Sequence, residues 1–201
     1  PNIYGIVFCR TRRECNEISD KLMSSGYNAD TLNGDLSQNQ RDLVMKKFRN
    51  KTVQILVATD VAARGIDVDD ITHIINYSLP DDNEIYVHRS GRTARAGKKG
   101  ISIVIASNRQ KKKINSIERM ISKDFLTDDV PSNEMIIEKQ IVHMAESVIL
   151  TEKSDQIDNF LTDILKKFKK IKKDDIVNKF ITLEFNKLLS YYSKNKDVKS
   201  E

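Results

Sequence analysis

The 201-residue chain has no tryptophan, two cysteines, three prolines and seven glycines. Cys9 and Cys15 have neither a CxxC spacing nor a histidine close by, which argues against a zinc site and leaves both as thiols in a reducing compartment. No apolar run approaches the roughly 18 to 20 residues that cross a bilayer, and the opening PNIYGIVFCRTRR lacks the basic-then-apolar order of a secretory signal. An intracellular, cytoplasmic protein with no membrane partner is expected. What is present, 39% hydrophobic and 31% charged residues, suits one large or two small globular domains and excludes collagen or a chain disordered throughout.

The net charge of +5 is modest but unevenly spread. All seven glycines lie at or before Gly100, all eleven arginines at or before Arg119, and every basic residue after Pro131 is lysine. The acidic and polar segment DFLTDDVPSN, with a proline that cannot continue a helix, marks the boundary. This divides the chain into 1–125, a linker over 126–133, a helical region over 134–195 and a disordered tail over 196–201.

In the first part, YGIVFC (4–9), 27–33, VQILVA (53–58), THIINY (72–77) and GISIVIA (100–106) read as strands, with VQILVA and THIINY buried on both faces. Helical periodicity fills the gaps, with Gly26 as a helix stop and Ser37 with Gln40 as a capping box. Strands alternating with helices predict a parallel α/β sheet with helices on both faces, followed by an all-α extension. In that extension, stretches near 134–150, 157–168 and 174–193 keep helical spacing. Its aromatics Phe160, Phe168, Phe180, Phe185, Tyr191 and Tyr192 are expected to be buried within the helices, against the first domain, or against a second copy. The lysines of KKFKKIKK are read as a solvated face in preference to an RNA contact.

In a parallel sheet, ligands bind beyond the carboxyl ends of the strands. The turns there carry Arg10-Thr11-Arg12, Gly34-Asp35, Thr59-Asp60 with Arg64-Gly65-Ile66-Asp67, and the run YVHRSGRTARAG at 86–97. Small residues, hydroxyls and guanidiniums at such turns point to an anionic, phosphate-bearing ligand. Arg89, Arg92 and Arg95 recur every three residues, which on a helix gives a row of guanidiniums on one side. Two readings stay open: charge supplied to a nucleotide γ-phosphate, or structural pairs with Asp60, Asp67 and Asp69.

Taken in order, IVFCRTRR, GDLSQNQR, VATDVAARGID and YVHRSGRTARAG resemble the C-terminal RecA-like half of a bacterial DEAD-box ATP-dependent RNA helicase. The resemblance covers about 1–125 and implies a RecA-like fold. It further implies that Arg92 and Arg95 are arginine fingers for ATP, that Asp67 binds the ribose, and that Arg64, Gly65, His88 and Arg89 couple the two halves. Arg10, Thr11, Gly34, Gln38, Arg41, Thr59 and Asp60 would contact or brace the RNA backbone, giving sequence-independent binding. No GxxxxGK[ST] loop and no Asp-Glu-Ala-Asp string occurs, so the resemblance implies an N-terminal RecA-like partner domain holding most of ATP and Mg2+. A fragment starting at its first core strand, without ATPase activity alone and with no metal ligands of its own, is expected. The helical region occupies the position of a dimerisation region in bacterial relatives, so a homodimer through 134–195 is an expected partner. One departure is Ala94 where the family usually has Gly; a positive φ there would strain it by about 1 kcal/mol or more. The rivals are a binding module that has lost its ATPase and a DNA-directed helicase.

Overall fold

The computed structural model describes residues 3–63, 65–94, 99–152, 154 and 157–193. Arg64, Arg95 and the 196–201 tail, all named above, lie outside the described residues. The chain forms two compact units, Pro1–Phe125 and Leu126–Glu201.

The first unit runs β1 (Gly5–Cys9), α1 (Arg12–Ser24), β2 (Ala29–Leu32), α2 (Gln38–Arg49), β3 (Ile55–Thr59), a single turn α3 (Asp60–Ala63), β4 (His73–Asn76), α4 (Asn83–Ser90) and β5 (Ile101–Val104). A 3-10 turn (Asn108–Gln110) then leads into α5 (Lys111–Ile121). The five strands are parallel in the order β2-β3-β1-β4-β5, the expected α/β architecture. The strand order reverses about β1, with β3 on one side and β4 on the other, so the ligand-binding crevice of such sheets opens beyond Cys9, Thr59 and Asn76.

Alternation along the strands feeds two cores. Ile6 and Phe8 of β1 and Leu56 and Ala58 of β3 pack with Val44, Met45 and Phe48 of α2. The intervening Val7, Cys9, Ile55 and Val57 meet Cys15, Ile18 and Leu22 of α1 on the other face. Tyr4 seals the first core: its ring stacks on Phe48 with centroids 4.5 Å apart, and its hydroxyl donates to the Phe48 carbonyl at 2.8 Å. Burial, reinforced by nearby Asp70, pushes the Tyr4 phenol up to about 12. A third cluster of Leu79, Tyr86 and Ile117 lies beneath α4 and α5.

The expectation of two-sided burial holds for β3 and fails for β4, whose residues alternate between half-buried and buried. Beside it β5 is an edge strand, and Ile101, Ile103 and Ile105 stay 53%, 42% and 48% exposed. Continuous apolar runs such as THIINY therefore do not by themselves report two covered faces.

The second unit contains α6 (Asn133–Leu150), α7 (Asp158–Phe168) and α8 (Lys173–Tyr192). The first half of α6 meets the end of α8: Asn133 donates to the Tyr192 carbonyl at 3.4 Å and Gln140 to the Tyr192 hydroxyl at 3.1 Å. Phe168 of α7 meets Phe180 of α8 edge-on at 6.1 Å. The aromatics are not enclosed among these three helices: Phe160, Phe180, Phe185 and Tyr191 are 69%, 57%, 42% and 44% exposed. Three short helices bury one seam each and have too little volume to enclose the opposite faces.

Candidate functional site

Helix starts bring most of the singled-out residues to the carboxyl edge of the sheet. Thr11 caps α1, its hydroxyl accepting from the Glu14 amide at 3.1 Å. The Glu14 carboxylate in turn accepts the Arg10 amide at 2.6 Å and the Ser78 hydroxyl at 2.8 Å. Arg10 itself is exposed and paired with Asp81. The capping box at Ser37 and Gln40 forms as the sequence indicates and starts α2. Gln38, in the first turn, is exposed and donates to Asp42 at 2.9 Å. Gly34 is exposed, and an added Cβ there would meet only Arg12 at ordinary contact distance.

The centre of the edge is a buried arginine. Arg89, 2% exposed on α4, donates from Nε and Nη2 to both carboxylate oxygens of Asp60 at 2.6 and 2.7 Å. Its Nη1 donates to Asn76 Oδ1 at 3.0 Å and to the Ser78 carbonyl at 2.8 Å. The guanidinium also lies 4.9 Å from the centre of the Phe8 ring. One side chain thus joins the exits of β3 and β4 across β1, filling the point where the strand order reverses. Of the two readings open for the arginines, Arg89 realises the structural pair with Asp60.

The expected row of guanidiniums on one helix face does not form among the described residues. Helix α4 ends at Ser90 with Gly91 as its cap, so Arg92 sits in a turn. There it donates to the Ile66 carbonyl at 2.7 Å. Next to it Thr93 is buried and donates to the Ile71 carbonyl. From α2, Arg41 donates to the Ala62 carbonyl at 2.5 Å. Four side chains from α2 and from 89–93 therefore hold one segment, 60–71, at four successive points. Asp67 and His88 are exposed, and Thr59 is buried at the end of β3.

Backbone conformation adds two facts. Gly65 has φ +74, which accounts for glycine there, because a Cβ in the left-handed region is strained. Ala94 has φ +57, so the alanine stands in a left-handed position. Gly100 lies against the same turn, where a Cβ would come within 2.7 Å of the Ala94 amide nitrogen. Among the described residues no group of three or more His, Cys, Asp or Glu side chains converges on a metal-sized point. The Cys15 thiol and burial together push the Cys9 thiol up, which leaves it inert.

Sequence reasoning missed Asn76, Ser78, Thr93 and Glu14. A signal existed for the first: an asparagine ending an apolar strand is buried polar surface that requires a partner.

Residues 3–97 match the family described as "Helicase conserved C-terminal domain", and residues 136–193 match "Probable ATP-dependent RNA helicase, helical domain". The crystal structure of the Escherichia coli DEAD-box protein SrmB, bound to RraA, is 36% identical with a TM-score of 0.61, over 65% of this chain and 77% of that one. This chain belongs to the DEAD-box RNA helicase family. It is a DEAD-box C-terminal RecA-like domain followed by a helical domain. Among its relatives, CshA of Bacillus anthracis is 41% identical over 153 residues, which is 76% of this chain and 29% of CshA. DeaD of Buchnera aphidicola is 39% identical over 143 residues, 71% of this chain and 24% of DeaD. A DEAD box protein from Methanococcus jannaschii is 48% identical with a TM-score of 0.57, over 61% of this chain and 34% of that one. This DEAD-box chain thus spans under a third of the length of the curated relatives it matches.

Two stability effects follow for the DEAD-box domain. Replacing Arg89 by Met leaves Asp60, Asn76 and the Ser78 carbonyl without their donor, and chemical denaturation should report a loss of about 3 kcal/mol. An unchanged midpoint would show that solvent replaces the arginine at no cost. Ala94→Gly should instead raise stability by about 1 kcal/mol, because release from the left-handed strain outweighs the added unfolded-state entropy of glycine; a lower melting temperature would contradict this.

Proposed function

We propose that this chain is the second half of an ATP-dependent RNA helicase that separates duplexes locally, with the N-terminal RecA-like domain completing the ATP and RNA sites. One observation carries the reading: Arg92, on the 89–93 turn, rests on the carbonyl of Ile66, the residue before exposed Asp67. A guanidinium suited to phosphate and a carboxylate suited to ribose hydroxyls thus share one edge of the sheet.

The residues fit ATP as follows. Asp67 would accept from the ribose hydroxyls. Arg92, with Arg95, would leave its resting partner and stabilise charge developing at the γ-phosphate, the contribution that arginine fingers make. The N-terminal domain would hold Mg2+ and most of the nucleotide, so the chain alone would not hydrolyse ATP.

On the RNA side, Arg10, Thr11, Gly34, Gln38 and Thr59 lie at or beside the starts of α1, α2 and α3. Free amides at helix starts suit phosphate oxygens. Arg41 and Asp60 act one step back, bracing the 60–71 segment from within. Gly65, Arg64, His88 and Arg89 would transmit closure; the bond of Arg89 to Asp60 supports a bracing part for it, and exposed His88 would make the direct contact with the other half.

The test is ATP hydrolysis by the complete helicase with no nucleic acid, with single-stranded RNA and with DNA of the same sequence. RNA alone should stimulate turnover, and Arg92→Ala should lower kcat about a thousandfold or more with little change in RNA affinity. Hydrolysis indifferent to RNA would refute the helicase reading, and full activity of Arg92→Ala would remove that residue from the finger role.

The exposed apolar faces of the helical domain support a homodimer through 134–195. Phe160, Leu165, Phe180 and Leu183 are 69%, 56%, 57% and 61% exposed, more apolar surface than a monomeric helical domain usually leaves in water. Light scattering should give twice the chain mass, and Phe160→Glu with Leu183→Glu should give the monomer. A monomer at every concentration of the unaltered chain would rule the dimer out.

A further inference from the structure

Charge in the helical domain is segregated. Leu126–Glu201 carries 13 lysines against 14 acidic residues, close to neutral, yet six of those lysines fall within Lys166–Lys173. All six are exposed, and among the described residues only Lys166 has an ion-pair partner, Asp163 at 2.9 Å. Helix electrostatics account for half of the cluster. Lys166 and Lys167 lie in the last turn of α7 and Lys169 caps it, at the end where cations are favourable. Lys172 and Lys173 occupy the cap and first position of α8, the end where cations are unfavourable and where Ser, Thr, Asp or Asn would stabilise the start. The junction thus gathers six lysines in eight residues, with Asp174 and Asp175 following in the first turn of α8.

The apolar members of the run turn the other way. Phe168 is half-buried and packs edge-on against Phe180 at 6.1 Å, and Ile171 is half-buried as well. No aromatic within the run is left to stack on a base. What faces water is a set of ammonium groups, point charges that pair with phosphate and read no base edges.

We propose that the α7–α8 junction, Lys166–Lys173, is a second RNA-backbone contact, separate from the RecA-like edge and indifferent to sequence. The choice of RNA as the anion rests on the helicase reading above; the cationic surface itself rests only on the charge pattern. Because the contact is phosphate alone, its signature is a salt dependence proportional to the lysines engaged, about 0.7 in the slope of log affinity against log salt for each phosphate of a single strand.

Binding of fluorescein-labelled single-stranded RNA by the 201-residue chain, followed by anisotropy across a salt series, tests this. Replacing Lys167, Lys169, Lys170, Lys172 and Lys173 by Gln, which keeps helix propensity, should weaken binding at least about tenfold near 0.1 M salt and flatten the slope by about 2, corresponding to three contacts. The same five positions changed to Arg should bind as the unaltered chain does. Affinity within twofold and an unchanged slope in the Gln variant would overturn the proposal. So would poly-glutamate or anionic vesicles competing as well as RNA in a lysine-dependent way, since the junction would then serve an acidic protein or a lipid surface. RNA-stimulated hydrolysis by the complete helicase, measured alongside, separates the two readings: if it persists while the Gln variant binds normally, the second contact alone falls. If stimulation and RNA binding are both absent, both readings fall.

Discussion

A guanidinium placed where only 2% of it meets water must find its counter-charge and acceptors nearby, and Arg89 finds all of them on one edge of the sheet. Desolvating the ion is costly, and attraction in a low-dielectric interior offsets that cost only when geometry is good and the remaining donors are used. The fork satisfies this with Asp60 bidentate, Asn76 and the Ser78 carbonyl on the third nitrogen, and Phe8 beneath. The start of α3 cannot shift without stranding this charge. Once Asp60 is held, the carbonyls of Ala62, Ile66 and Ile71 fall within reach of Arg41, Arg92 and Thr93. These contacts tie Asp60, Ala62, Ile66 and Ile71 to α2 and to 89–93, the linkage a switch would use if one event is to reach several ligand contacts.

Arg92 differs from its neighbours in that network. Arg89 is buried and four-fold bonded, whereas Arg92 is half-exposed with a single carbonyl partner shown. A neutral carbonyl holds a guanidinium far less firmly than a carboxylate does, so Arg92 is held more loosely than Arg89, which suits the phosphate role proposed for it. The left-handed Ala94 lies two residues on, close against Gly100, and the turn that carries Arg92 is therefore strained at its far side. The alanine suggested itself in the sequence as a departure; only the backbone angle shows that the departure costs energy.

How much could be read from the string of residues depended on the range of the interaction. The strands, the helices, the Ser37 capping box and the parallel order follow from spacing within a dozen residues, and they formed. The single turn α3 escaped because VATDVAARGID continues an apolar strand without a break, and four helical residues carry no periodicity. Asp60 and Arg89 were both singled out, but their union was one of several open pairings, since the 28 residues between them pass through another strand. Arg92 was recognisable by type and its partner was not, because the partner is a backbone oxygen and every residue has one. In the helical domain the periodicity was right, and of the three burials it allowed, the one among its own helices is not what the aromatics do. An amphipathic stripe shows that a face is apolar and leaves open what covers it.

That difference separates the two units physically. In the first unit the buried Arg89 guanidinium and the buried Thr93 hydroxyl at the functional edge are aimed at named acceptors, and the β5 side leaves Ile101, Ile103 and Ile105 exposed. The second has one seam between α6 and α8, one aromatic contact between α7 and α8, and exposed apolar residues along all three helices. A domain of this size gains little from its own core, since surface grows faster than enclosed volume as a fold shrinks. A partner covering those faces would add the enclosed area the unit lacks, and the exposed lysines of the Lys166–Lys173 junction would stay free to meet a polyanion.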